Sequence, residues 1–226
     1  MRGCFITGTD TGVGKTVLAA AIVASLRQRG VDVSALKPVI TGLDEPGHPD
    51  WPADHELLAA VAGRAPREVI VTGYGPPVSP HLAAELSGRP LGLAALRDAT
   101  LAAAGTAEVA VIEGVGGLLV PLDEAFLLRD LAREIGLPLV IAARPGLGTI
   151  NHTLLTLESA RSAGLTVAGV VLTPWPERPD EIERSNHVTI ARLGAVDVRT
   201  LGRVARPEPR LLAEAASDLP LERWLR

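Results

Sequence analysis

Lys15 and Thr16 close a run whose residue types suit a polyphosphate: Ile6-Thr7-Gly8-Thr9-Asp10-Thr11-Gly12-Val13-Gly14-Lys15-Thr16. Glycines let backbone N–H groups approach and wrap an anion, and the N-terminus of a following helix turns its positive dipole end toward the same charge. A lysine at position 15 can reach the terminal phosphates, and the Thr16 hydroxyl can join a magnesium shell. The usual spacing would place the first glycine at Thr9. Here it is Gly8, so five residues separate Gly8 from Gly14 and the loop is a lengthened variant. An apolar run before it (Cys4-Phe5-Ile6) and an alanine-rich run after it (Val17 to Leu26) read as strand, loop and helix.

Three further residues are candidates for the same chemistry. Glu113 ends the apolar run Val109-Ala110-Val111-Ile112, where a carboxylate suits a second contribution to magnesium; the bland alternative is a solvated strand end. Lys37 follows the strand-like Val31 to Leu36. With Lys15 it would place two cations in one pocket, an arrangement that suits phosphoryl transfer or an anionic acceptor such as a carboxylate or carbamate. Asp54 opens a helical pattern and reads first as its N-cap, with Asp44, Asp50 and Glu56 as competitors.

The elements that must position these residues alternate. A strand at 3–7, a helix at 15–29 with Leu18, Ile22 and Leu26 on one face, and a strand at 32–37 form the first unit. Gly30 is placed to end the helix. A right-handed crossover brings both strand ends to one edge, with Lys37 near the loop. Residues 38–53 read as a loop, 69–71 as a short strand, Ser79-Pro80 as the capped start of a helix through Leu86, and 91–104 as a helix. Next come the strand 108–113, a flexible Gly114-Val115-Gly116-Gly117 turn, a helix at 124–135, a strand at 138–142, a turn at 144–148 and a helix at 149–163. A strand at 166–172, a Pro-rich loop with Trp175, a helix at 180–193, a strand within 196–204 and two short helices complete the chain. This alternation predicts a P-loop NTPase-like, doubly wound, mainly parallel sheet flanked by helices, and one domain over 1–226. In such sheets ligands bind at the carboxyl edge.

Composition narrows the classes. Hydrophobic residues make up 47% and aromatics only 3%, so aliphatic side chains must build a two-faced core and base-stacking platforms are disfavoured. The formal charge of -4 and the lack of a basic stretch argue against nucleic acid and acidic membranes as partners. Cys4 is the single cysteine, so no internal disulfide forms. With no signal-like start and no membrane-length apolar run, the expectation is a cytoplasmic protein. The five histidines show no metal-ligand spacing, no Gly-x-Ser-x-Gly turn is present, and the three tryptophans read as packing or loop anchors.

Taken together, these motifs resemble the dethiobiotin synthetase family. The resemblance rests on Gly8 to Thr16 with its lengthened loop, Leu36-Lys37-Pro38-Val39 with Thr41-Gly42, Ser79-Pro80-His81, Glu113-Gly114-Val115-Gly116-Gly117 and Leu147-Gly148-Thr149-Ile150-Asn151-His152. It covers roughly residues 1 to 175. It implies that ATP, carbon dioxide and 7,8-diaminopelargonic acid give dethiobiotin, ADP and phosphate, through a carbamate and a carbamic–phosphoric anhydride, with Mg2+ and in a homodimer. It implies Thr16, Asp54 and Glu113 as metal ligands, and Lys37, Lys15 and Thr11 as catalytic residues. Nucleotide contacts would come from Gly12, Val13, Gly14, Lys15, Thr16, Val17, Asp54, Glu113, Gly114, Val115, Gly116, Thr173, Pro174, Arg203, Val204 and Ala205. Substrate contacts would come from Thr11, Lys37, Thr41, Gly117, Leu147 and Asn151.

The chain departs from the family pattern in places. Gly12 stands where many members have glutamate, and Thr173-Pro174 stands where an Asn-Asp pair often reads adenine. Threonine cannot copy the two-point pairing of an asparagine, so other nucleoside triphosphates are also expected. Near the family's aromatic substrate contact the chain offers only Ser185 or Asn186. The principal rival is a deviant P-loop ATPase that acts as a regulatory or partitioning switch; that type carries an early lysine where this loop has Thr9, Asp10 and Thr11. An amide-forming ligase of corrinoid acids and a non-catalytic nucleotide-binding module are two more rivals.

Overall fold

A computed structural model describes residues 1–48 and 51–225; Asp50 lies outside the described residues. Seven strands form one all-parallel sheet in the order β3-β2-β4-β1-β5-β6-β7. They are β1 Arg2–Gly8, β2 Val33–Ile40, β3 Ile70–Gly73, β4 Val109–Gly117, β5 Leu139–Ala143, β6 Val167–Trp175 and β7 Val198–Gly202. The helices are α1 Lys15–Gln28, α2 Asp54–Ala62, α3 Pro66–Val69, α4 Pro80–Leu86, α5 Leu93–Ala104, α6 Leu128–Ile135, α7 Thr149–Ser162, α8 Glu181–Gly194, α9 Pro209–Ala215 and α10 Leu221–Trp224.

The sheet is buried on both faces, which is why its strands are continuously apolar rather than alternating. In β5, Val140 and Ala142 pack on the α1 side, and Ile141 and Ala143 on the α7–α8 side. The alanines of α1 (Ala19, Ala20, Ala21 and Ala24) are buried in the first of these layers. Trp224 of α10 lies against β6 so closely that a Cβ on Gly169 would meet its ring at 2.5 Å. The tryptophan is therefore a packing anchor, as expected.

Several boundaries differ from expectation, each for a physical reason. β4 runs through Gly114–Gly117 instead of ending in a flexible turn at Glu113. Gly8 pairs with Gly117 across a register shift, and a Cβ on Gly114 would meet Leu128 Cδ2 at 2.7 Å. These glycines are there for close packing. β2 likewise continues three residues beyond Lys37, pairing Val39 and Ile40 with β3. β6 extends past Leu172 through a cis Thr173–Pro174 bond to Trp175, which pairs with Gly202. Helix α6 starts at Leu128, not 124, because Pro121 and Leu127 form a bridge before it. The N-cap of α2 is Ala53, not Asp54, and the Glu56 carboxylate accepts from the Ala53 N–H. Asp54 is thereby left for other contacts.

Candidate active site

The loop between β1 and α1 has the conformation that its glycines allow. Gly12 and Gly14 have φ of +69° and +89°, in the left-handed region that favours glycine. Gly8 is required by proximity, since a Cβ there would lie 2.7 Å from Val13 Cγ2, 2.8 Å from the Asp10 carbonyl and 3.1 Å from Lys15 Nζ. Lys15 folds back over this loop and donates to the Asp10 carbonyl at 3.0 Å. It is buried, and burial pushes its pKa down. Bound phosphates would favour its charged form. Arg144, at the end of β5, donates to the Thr11 carbonyl at 3.0 Å and braces the loop from outside.

Beside the loop, four polar side chains from four elements meet. Lys37 of β2 donates to Glu113 Oε1 at 2.7 Å and also to Asp54 Oδ2 of α2. Thr16 of α1 donates to the same Glu113 Oε1 at 2.8 Å. Lys37 and Glu113 are 4% and 1% exposed, so this is a buried ion pair and not a solvated strand end. Burial opposes the charge on Lys37, but the two carboxylates outweigh it and hold its pKa above the usual value. Burial also works against the Asp54 carboxylate, yet the Lys37 ammonium holds it below its ordinary range. Glu113 moves the other way: burial, reinforced by the Asp54 charge, raises its pKa despite Lys37.

The donor set suits a hard divalent cation. It comprises one hydroxyl and two carboxylates, converging from three elements on a point where a cationic group already sits. Glu113 Oε2 is buried and accepts no hydrogen bond, which leaves a second lone-pair face of this carboxylate unspent. Thr16, Asp54 and Glu113 would hold the ion.

These groups form one wall of a cleft of ≈ 710 Å³, within the range of a small-molecule site. Thr11, Gly12, Gly14, Val17, Thr41, Val115 and Gly116 also line it. Ile40 and Pro77 to Pro80 line it as well. Of these, Ser79 and Pro80 are marked in the sequence, as a helix start and within the Ser79-Pro80-His81 motif. Trp51, expected as an anchor, lines the cleft while packing on the core.

Other expected residues lie elsewhere. Gly117 borders a second hollow of ≈ 390 Å³ together with Thr11 and His152. Leu147 is 94% exposed and Asn151 is exposed; neither lines the cleft in one chain. Val13 is buried, and Gly114 faces the core beside Leu128. Thr173 is buried directly over the loop, where a Cβ on Gly14 would meet its Cγ2 at 2.9 Å. Pro174, Arg203, Val204 and Ala205 border neither cavity. Asn186 is buried and donates to the carbonyls of Pro145 and Gly146, so it holds the β5–α7 turn.

A family model described as an AAA domain matches residues 2–208. An ATP-dependent dethiobiotin synthetase BioD from Anaeromyxobacter sp. (strain Fw109-5) is 44% identical over 194 residues, 85% of this chain and 86% of that one. The protein of the same name from Bacillus subtilis (strain 168) is 36% identical over 200 residues, 88% of this chain and 85% of that one. Among solved structures, a ParA family ATPase from Chlorobium tepidum TLS aligns with a TM-score of 0.57 at 12% identity, covering 96% of this chain and 99% of that one. The cell division ATPase MinD of Pyrococcus furiosus aligns with a TM-score of 0.55 at 16% identity, covering 98% and 92%. At such identities the likeness shows the P-loop NTPase fold alone.

Proposed function

Because the chain belongs to the ATP-dependent dethiobiotin synthetase family, we propose that its cleft joins carbon dioxide to 7,8-diaminopelargonic acid and closes the ring to dethiobiotin, with ATP going to ADP and phosphate. One amine of the substrate captures carbon dioxide as a carbamate. A carbamate oxygen then attacks the γ-phosphorus, ADP leaves, and a carbamic–phosphoric anhydride forms. The second amine attacks the carbonyl carbon, closes the cyclic urea and expels phosphate, which keeps the oxygen that came from carbon dioxide.

The observation that carries this reading is the meeting of Lys37, Asp54, Glu113 and Thr16 beside the Lys15 loop in one cleft. Phosphoryl transfer demands alignment and charge neutralisation more than covalent help from the protein. The loop N–H groups and Lys15 hold and neutralise the phosphates. Lys37, kept cationic by its carboxylates, stabilises the carbamate oxygens and the transferring group. Thr11 and Thr41 border the space left for the diamine. A magnesium ion held by Thr16, Asp54 and Glu113 would supply charge neutralisation at the β- and γ-phosphate oxygens. Gly117, Leu147 and Asn151 lie outside the cleft, and Leu119, Leu147 and Leu155 are exposed apolar residues. A homodimer in which the far carboxylate of the substrate meets the Leu147–Asn151 segment accounts for both facts. The single seven-stranded sheet supports one domain. No helix among the described residues is long and apolar enough to cross a membrane. That, with small-molecule substrates, supports a cytoplasmic enzyme.

The test is product formation from ATP, Mg2+, bicarbonate and 7,8-diaminopelargonic acid, with dethiobiotin detected by mass. The expected result is a product that requires all four components. Phosphate release that ignores the diamine would replace this reading with that of an ATPase switch.

A further inference from the structure

The Lys37 ammonium stands where the cation of the site belongs. It donates to both carboxylates expected to hold a metal, and Thr16 donates to one of them. Lys37 is 4% exposed, and β2 continues past it to Ile40, so its backbone is fixed by pairing on both sides. Its flexible four-carbon stem is the part left to move. Lys15 makes no such contact; its ammonium is spent on the Asp10 carbonyl. We propose that Lys37 and a divalent cation compete for Asp54 and Glu113, so that Lys37 acts as a resident stand-in cation which arrival of the metal–nucleotide complex releases toward the reacting group.

The inference rests on the reading of Asp54 and Glu113 as metal ligands, but adds an order of events. A divalent ion that takes the oxygens Lys37 now holds, Asp54 Oδ2 and Glu113 Oε1, leaves the ammonium no room at contact distance. Without nucleotide, the metal must displace Lys37 with nothing to receive the freed ammonium. With a triphosphate present, the phosphate oxygens receive it and supply further metal ligands. Metal binding and nucleotide binding are then coupled through Lys37, and the lysine is delivered to the chemistry only when both are loaded.

The sequence makes the test unusually clean, because Lys15 and Lys37 are the only lysines in the chain. Lysine labelled with 15N at Nζ therefore gives two side-chain signals, and Lys15→Met identifies that of Lys37. In the wild-type chain the Lys37 signal is expected to keep its position in Mg2+ alone at moderate concentration, and to shift or exchange away in Mg2+ with a non-hydrolysable ATP analogue. Mn2+ binding without nucleotide, followed by electron paramagnetic resonance of the free ion, gives the second readout. Lys37→Met is expected to bind Mn2+ about tenfold or more tighter than wild type, the size of a typical coupling between sites. Lys15→Met, which removes equal charge from the same cleft, is expected to change it by much less. Equal tightening in the two variants would reduce the effect to net charge and overturn the competition. A Lys37 signal unmoved by saturating Mg2+ with the ATP analogue would overturn it in the wild-type chain, even if Lys37→Met does not fold. Failure of folded Lys37→Met to bind Mn2+ at all would instead remove the metal-ligand reading and this inference with it.

Discussion

Gly14→Ala puts the geometry of the phosphate loop to a quantitative test. Gly14 sits at φ +89°, where a side-chain-bearing residue is strained by roughly 1–2 kcal/mol. The added Cβ would also lie 2.9 Å from Thr173 Cγ2. Thr173 is 2% exposed in β6, so it has little room to retreat. Forcing a methyl into such a site costs about 1–3 kcal/mol. The sum is about 2–5 kcal/mol, or roughly 4–20 °C in Tm for a domain of this size. The two parts separate in a cycle with Thr173→Ser. Serine removes Cγ2 and keeps the hydroxyl, whose oxygen would stand 3.4 Å from the new Cβ. Urea unfolding of the four proteins should then show a coupling of about 1–2 kcal/mol, with the strain part left unrecovered. Additive losses would mean that Thr173 does not bear on the loop, and the close approach would lose its energetic meaning.

Four further outcomes are expected. Lys37→Ala should retain nucleotide binding, followed by calorimetry, and lose most of its turnover; near-normal dethiobiotin formation would take Lys37 out of the chemistry. Glu113→Gln should shift the magnesium titration of activity to much higher concentration, while an unchanged titration would exclude it as a ligand. The two 15N lysine signals should titrate in opposite directions from the ordinary lysine value of 10.5. Lys37 stabilises the fold below that value and loses this only as pH rises through its higher folded pKa. The burial cost of charged Lys15 is relieved at a lower pH, and a reversed order would contradict the buried geometry. Since Thr173 cannot offer adenine the two-point pairing of an amide side chain, ATP and CTP should bind with similar affinity in competition experiments, and a large preference for ATP would reveal another base contact.

The legible parts were those fixed by local chemistry or by handedness. Gly8 to Thr16 announces its loop because phosphate wrapping needs those residue types in that order. The parallel crossover carries Lys37 and Glu113 to the same edge, and there they form an ion pair. What stayed hidden depends on packing between distant segments. Gly114 to Gly117 reads as a turn because glycine usually breaks strands, yet here the missing side chains make room for Leu128 and for pairing with Gly8. The stretch after Leu172 reads as a Pro-rich loop because proline lacks an N–H, yet β6 continues across a register shift to Trp175. Asp54 reads as a cap, and only the structure shows it turned to Lys37. Pro77 and Val78, which also line the cleft, carry no periodicity and no charge. Leu147 and Asn151 lie exposed, away from the cleft, where no local pattern marks them.

The central claim is that the cleft activates a carbamate by phosphorylating it, and the path of one oxygen tests this most directly. Turnover in 18O-labelled bicarbonate, sampled quickly enough to limit exchange with water, followed by mass analysis of the released phosphate, reports that path. One labelled oxygen in phosphate for each dethiobiotin formed is the predicted result. Phosphate without label, formed alongside labelled dethiobiotin, would mean that water and not the carbamate attacks ATP, and would contradict the account.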